Sequence, residues 1–250
     1  MRRALAVASL LGALTAPAVA VAAEKTASFA ERPVGLMIVL AALAIVPFVL
    51  IMCTSFLKIV VVLSIVRNAI GTPQVPPTQV LTGLAIILTA YVMAPTGTAI
   101  MREIRPVMDQ GRGADLTSAQ GVDAMITAAE RAKEPARAFL LKHSHERDRA
   151  AFLGMARRMR PPEERAGITE RDFLVVAPAF IVSELTEAFQ IGFMLFVPFL
   201  VVDMLVANLL LALGMQMLSP STVSLPFKLL LFVLVDGWRL LTRGLVLGYQ

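Results

Sequence analysis

The sequence predicts an all-α protein of membrane-inserted helical hairpins, and three observations carry that prediction. Of 250 residues, 57% are hydrophobic and only 16% are charged, for a mean hydropathy of +0.75. The apolar residues fall in long runs at 34–54, 80–100, 173–198, 199–218 and 227–248. Each approaches or exceeds the ~20 residues with which an α-helix crosses the hydrocarbon layer. One stretch, 102–172, instead gathers more than half of the charged residues and holds no such run, so it predicts a small soluble insert of amphipathic helices.

Taken in order, residues 1–23 open with Arg2 and Arg3, continue through an apolar core and end in small residues around Ala20-Val21-Ala22. That is the layout of a secretory signal peptide, with an uncleaved first helix as the alternative. Residues 24–101 form the N-terminal hydrophobic part. Its run 34–54 has Pro33 at the entry, where a missing N–H costs nothing, and Pro47 inside as a kink. The run 55–70 carries Lys58 and Arg67, which at 100° per residue point to opposite sides of a helix and so need separate partners. Gly71, Pro73, Pro76 and Pro77 then break the chain before the run 80–100.

By parity the insert 102–172 is extracytoplasmic. The spacing of Phe139, Leu140 and His143, and of Phe152, Leu153, Met155, Ala156 and Met159, fits helices, and Pro161-Pro162 ends the second. His143 and His145 could share a metal on a strand; on a helix they sit 200° apart and are expected on its solvated surface. Residues 173–250 form the C-terminal hydrophobic hairpins. At ~1.5 Å per residue, 173–218 suffices for two spans with Pro178 and Pro198 as kink or turn points. Glu184 and Glu187 share a face of the first arm, and Asp203 lies in the second. The run stops at 214–220, and the closing segment carries Lys228, Asp236, Arg239 and Arg243. Trp238 and Tyr249 suit an interface or the end of a bundle.

The charges are the puzzle. Lys58, Arg67, Glu184, Glu187, Asp203, Lys228, Asp236 and Arg239 all lie in apolar runs. A lone charge at the centre of a bilayer costs ~2.5–3.5 kcal/mol, so these eight are expected to be buried in pairs, within one subunit or between subunits.

Several function classes are excluded. The net charge of +5 is spread among acids without interleaved aromatics, against nucleic-acid binding. The lone Cys53 forms no intrachain disulfide. Asp203 and Asp236 lack the Tyr-Asp and Gly-x-Gly-Asp settings of intramembrane proteases. There is no G-x-S-x-G, no phosphate loop and no dinucleotide glycine pattern, so no catalytic residue, cofactor or metal is assigned. What remains is a stand-alone proton-coupled transporter or a subunit of a larger assembly. Buried charges of both signs favour the subunit.

Four stretches together carry a family resemblance: Thr54-Ser55-Phe56 through Arg67-Asn68-Ala69-Ile70-Gly71-Thr72-Pro73-Gln74-Val75-Pro76-Pro77; Ser183-Glu184-Leu185-Thr186-Glu187-Ala188-Phe189-Gln190-Ile191-Gly192-Phe193; Pro198-Phe199-Leu200-Val201-Val202-Asp203; and Ser224-Leu225-Pro226-Phe227-Lys228 through Val235-Asp236-Gly237-Trp238. They resemble the core export-gate subunit of type III secretion systems, called the P subunit in flagella and the R subunit in virulence injectisomes. Tyr91-Val92-Met93-Ala94-Pro95 and Leu241-Thr242-Arg243-Gly244-Leu245-Val246 are more similar to the injectisome branch, whereas a signal peptide is more familiar from the flagellar branch. The resemblance implies a non-enzymatic, multi-pass subunit of the bacterial inner membrane, part of the secretion basal body and facing the periplasm. It implies a ring of about five copies joined by small subunits of the S/Q and T/R types, and by the large export-gate subunit and basal-body rings. The assembly would be a conical gate for unfolded exported proteins. It also implies a pore gasket at 214–220, where Met215 and Met217 match and Gln216 departs from the usual third methionine. By their residues alone, these two methionines would be core side chains at a helix end.

Overall fold

The computed structural model describes residues 44–45, 47–49, 51–72, 74–110 and 119–250. The expected signal peptide 1–23 and most of the run 34–54 lie outside the described residues. Residues 1–50 and 51–250 are separate compact units, and the fold below is that of the second. Its elements are α1 (Phe56–Ile70), α2 (Thr78–Gln110), α3 (Ala119–Lys142), α4 (Glu146–Arg158), a 3-10 turn (Pro162–Gly167), α5 (Phe173–Ala212), α6 (Pro220–Leu234) and α7 (Gly237–Leu247). Among the described residues there is no strand.

Three expectations change. First, α2 does not stop near residue 100 but runs on through Pro95 and Pro106 to Gln110. Second, 173–218 is not two spans: α5 is one helix of 40 residues with Pro178 and Pro198 inside it. A proline removes one hydrogen bond and crowds the preceding turn, at ~3 kcal/mol. Burial of Val175, Val176, Ala179, Phe180 and Ala188 along the same helix offsets that cost. At ~1.5 Å per residue α5 is ~60 Å long, about twice a hydrocarbon layer. Third, the closing run 227–248 is broken into α6 and α7 at Asp236. Helices α2 and α5 are both long and apolar enough to cross a membrane.

The hairpin is therefore made by the second half of α5 and by α6. Its turn is written locally. Gly214 adopts φ 72°, its N–H donates to Leu211 O, and the N–H of Met215 donates to Leu210 O. This pair of bonds is the Schellman closure that a glycine just past a helix end permits. Pro220 then starts α6 at a position where its missing N–H is harmless.

Helix α1 is the hub. Ile59, Val62, Leu63, Val66, Ala69 and Ile70 are buried against Leu81 and Ala85 of α2, Ala188 and Phe199 of α5, Phe232 of α6 and Leu241 and Leu245 of α7. The approach to α5 is close: a Cβ on Gly192 would lie 2.4 Å from Ile65 Cδ1, so a larger residue there would have to push the Ile65 side chain aside. A second core joins Phe139 and Leu140 of α3 to Val176 and Phe180 of α5 and to Tyr249, just beyond α7. The helices of the insert thus rest on α5 within one compact unit.

Candidate functional site

Two places stand out, a buried cluster of charges at the α1–α5 contact and the exposed tip of the α5–α6 hairpin. Lys58 is 3% exposed on the face of α1 that meets α5. Its Nζ lies 2.9 Å from Glu184 Oε1 and 2.6 Å from Glu187 Oε2. The two carboxylates are three residues apart and so project from one face of α5. Glu184 is fully buried, and its second oxygen, Oε2, accepts a hydrogen bond from the hydroxyl of Tyr249. The Tyr249 ring lies 4.2 Å from Lys58 Nζ, a cation–π contact.

The cluster continues into the insert. Glu187 Oε1 is 2.9 Å from His145 Nε2, and His145 Nδ1 is 3.4 Å from Asp148 Oδ2. His145 caps α4 and donates its backbone N–H to Ser183 Oγ at 2.9 Å, while Ser183 Oγ donates to Asp148 Oδ2 at 2.7 Å. That hydrogen bond from Ser183 holds the Asp148 carboxyl below the usual carboxylate range, against the opposing effect of its burial. His143 stands at the edge of the Tyr249 ring, 5.0 Å between centroids. Burial, aided by the Lys142 and Lys58 cations, lowers its imidazole to about 4, so it is neutral at physiological pH.

A second cluster ties the hairpin to the hub. Lys228 Nζ of α6 is 2.6 Å from Asp203 Oδ2 of α5 and donates to Ala69 O at 3.2 Å, near the negative C-terminal end of α1. Ser224 Oγ donates to Asp203 Oδ1.

Of the eight charges singled out in the sequence, five fall in these clusters: Lys58, Glu184, Glu187, Asp203 and Lys228. Arg67 meets no carboxylate there; its Nη1 donates to Thr78 Oγ1 at 3.0 Å. Asp236 and Arg239 pair with each other, but at the surface of the single chain. They are 66% and 80% exposed and 3.6 Å apart, because the chain breaks at Asp236, which takes a left-handed conformation (φ 52°), and leaves both outside the bend. The expectation for His143 and His145 changes as well: they are not on one solvated helix, since one closes α3 and the other opens α4. A helix start was legible in Glu146 and Asp148, acids suited to a first turn. Nothing comparable marked Ser183 or Ser224, and Tyr249 was legible only as a residue suited to an interface or the end of a bundle. Among the described residues no group of three His, Cys, Asp or Glu side chains is arranged to hold a metal ion.

The tip has the opposite character. Met217 is fully exposed, Met215 is 49% exposed, and Leu213 and Leu218 flank them on the surface. The clusters can lock helices together and keep charge away from hydrocarbon. The tip offers apolar, deformable side chains to whatever lies beyond the chain.

The FliP family matches residues 39–245, a span that contains both clusters except Tyr249, and the whole tip. The "Pathogenicity-related ORF2" of Xanthomonas campestris pv. glycines is 44% identical over 215 residues, 86% of this chain and 96% of that protein. The "Hypersensitivity response secretion protein HrcR" of Ralstonia nicotianae is 43% identical over 215 residues, with the same coverage. The "Flagellar biosynthetic protein FliP" of Pectobacterium carotovorum subsp. carotovorum is 45% identical over 213 residues, 85% of this chain and 77% of that protein. The coverage is nearly complete and the matched segments hold the hub, the hairpin and its tip; the chain belongs to the FliP family.

Proposed function

We propose that this protein is the core pore-forming subunit of a type III secretion export apparatus in the bacterial inner membrane, with its insert on the periplasmic side. The observation that carries this reading is the hairpin tip: methionines and leucines exposed together at the end of two helices, with none of the described residues covering them. Several copies around an axis, about five, would bring Met215 and Met217 into a ring. An apolar ring excludes water when closed, and an unbranched thioether repacks around any side chain that passes. Gln216 would add an amide to each copy of that ring.

The charges sort into two roles under this reading. The Lys58 and Lys228 clusters hold one subunit together. Arg67, which donates to Thr78, and the exposed Asp236–Arg239 pair are available to neighbouring copies or to small subunits of the S/Q and T/R types. The large export-gate subunit, the basal-body rings and the unfolded exported proteins complete the partners. The role is structural, with no catalytic residue. A flagellar P subunit is the second reading, supported by the 45% identity to the Pectobacterium protein.

The test replaces both Met215 and Met217 with alanine in the assembled complex. Small-ion leakage should rise while subunit level and assembly stay unchanged. Leakage and secretion at wild-type values would remove the gasket. An isolated monomer that transports a small solute would overturn the whole assignment.

A further inference from the structure

The corner between α3 and α4 is closed by side chains from elsewhere. Helix α3 ends at Lys142, and the carbonyls of Leu141 and Ser144 accept hydrogen bonds from Arg149 Nη1, one turn into α4. Helix α4 begins at Glu146 with His145 in the cap position, and the His145 side chain makes no capping hydrogen bond. An imidazole does not supply the short oxygen that Ser, Thr, Asp or Asn brings to that position. In a capping box the backbone N–H of the cap residue is taken by an acceptor three residues into the helix. Here that residue is Asp148, and the hydroxyl of Ser183 on α5 is set between the two. Ser183 Oγ accepts from His145 N at 2.9 Å and donates to Asp148 Oδ2 at 2.7 Å. Ser183 is fully buried and Asp148 nearly so, which makes either group costly to leave unbonded.

The same turn of α5 faces two ways. Glu184 and Glu187 meet Lys58 of α1, while Ser183 and Glu187 Oε1 meet His145. Further along, α4 is seated by contacts of a different kind: Ala156, with Phe152 and Leu153, packs with Ile168 and with Val175 of α5. Those apolar contacts hold the body of α4 and satisfy none of the amides at its start.

We infer that Ser183 is a positioning residue, a cap supplied to α4 from across the fold, which orders the first turn of α4 and so sets the His145 ring on Glu187. The start of α4 is formed only while α5 presents this turn to the insert, and a rotation of α5 about its own axis would uncap it. The apolar seat of α4 survives such a loss, so the effect is confined to the corner. None of this depends on whether the hairpin tip lines a pore.

The experiment reads amide hydrogen exchange, residue by residue, in the full chain in detergent. The informative amides are those of His145, bonded to Ser183, and of Asp148 and Arg149, both bonded to His145 O. Removing a cap in Ser183→Ala should speed their exchange at least about tenfold, while the amides from Phe152 to Arg158 stay within about twofold of wild type. Adding His145→Ser to Ser183→Ala gives α4 a cap of its own and should restore slow exchange at Asp148 and Arg149. Exchange unchanged in Ser183→Ala overturns the inference. Faster exchange along the whole of α4 would assign Ser183 to packing alone and overturns it as well, as does a first turn that His145→Ser fails to restore.

Discussion

The Lys58 cluster and the Asp236–Arg239 pair begin from the same kind of sequence, an acid and a base set into apolar runs, and end in opposite states. Lys58 is almost wholly buried and meets two carboxylates, one of which is bonded in turn to Tyr249 and the other to His145. Asp236 and Arg239 face outward three residues apart, 3.6 Å from each other. Desolvation explains the difference. Where packing has removed water, an unpaired charge costs several kcal/mol and the cluster must close within the chain. Where the surface is open, water or a neighbour meets the charge and nothing enforces closure.

The comparison can be broken most directly at its buried side. Lys58→Met should cost ~3–5 kcal/mol, because it leaves the fully buried Glu184 carboxylate without its cation. Thermal unfolding in detergent measures this, and a cost below ~1 kcal/mol would show that the cluster is not what holds α1 to α5. Adding Glu184→Gln to Lys58→Met should recover much of the loss, since neither charge then remains unpaired.

A smaller effect sharpens the edge of the same cluster. His143 is held neutral by burial, with its imidazole lowered to about 4, whereas an unfolded chain takes up that proton near 6.5. Between those values the unfolded state binds more protons, so stability should be constant above pH 6.5 and fall as pH drops towards 4. His143→Phe should lose less stability than wild type over that interval. Equal losses in the two proteins would place His143 outside the packed core.

The smallest effect belongs to the open side. Arg239→Ala should change the stability of the isolated chain by no more than ~0.5 kcal/mol. In the assembled complex the same variant should lower yield or melting temperature if a neighbour covers this face, as proposed. A large loss already in the isolated chain would erase the contrast between the two sets of charges.

Much of the site was legible before any fold was known. Glu184 and Glu187 fall on one face by helix periodicity, and the turn at 214–220 is announced by Gly214 and Pro220. What His145, Asp148, Ser183 and Tyr249 bond to was not legible, because their partners lie 35 to 65 residues away and on other helices. The prolines misled for a related reason. Pro178 and Pro198 weaken a helix locally, and only the burial of the rest of α5 outweighs them.

By itself the sequence determined the class of the protein, the helical periodicity, the position of the hairpin tip and the presence of charges that need partners. All of these follow from local properties: apolar length, φ preference, and the cost of a charge away from water. The tertiary structure alone decided which charge meets which, that α5 is continuous, and that Asp236 and Arg239 stay outside while Tyr249 comes in. Those outcomes depend on which helix faces pack together, and a close approach such as Gly192 on Ile65 sets the packing across more than a hundred residues of chain.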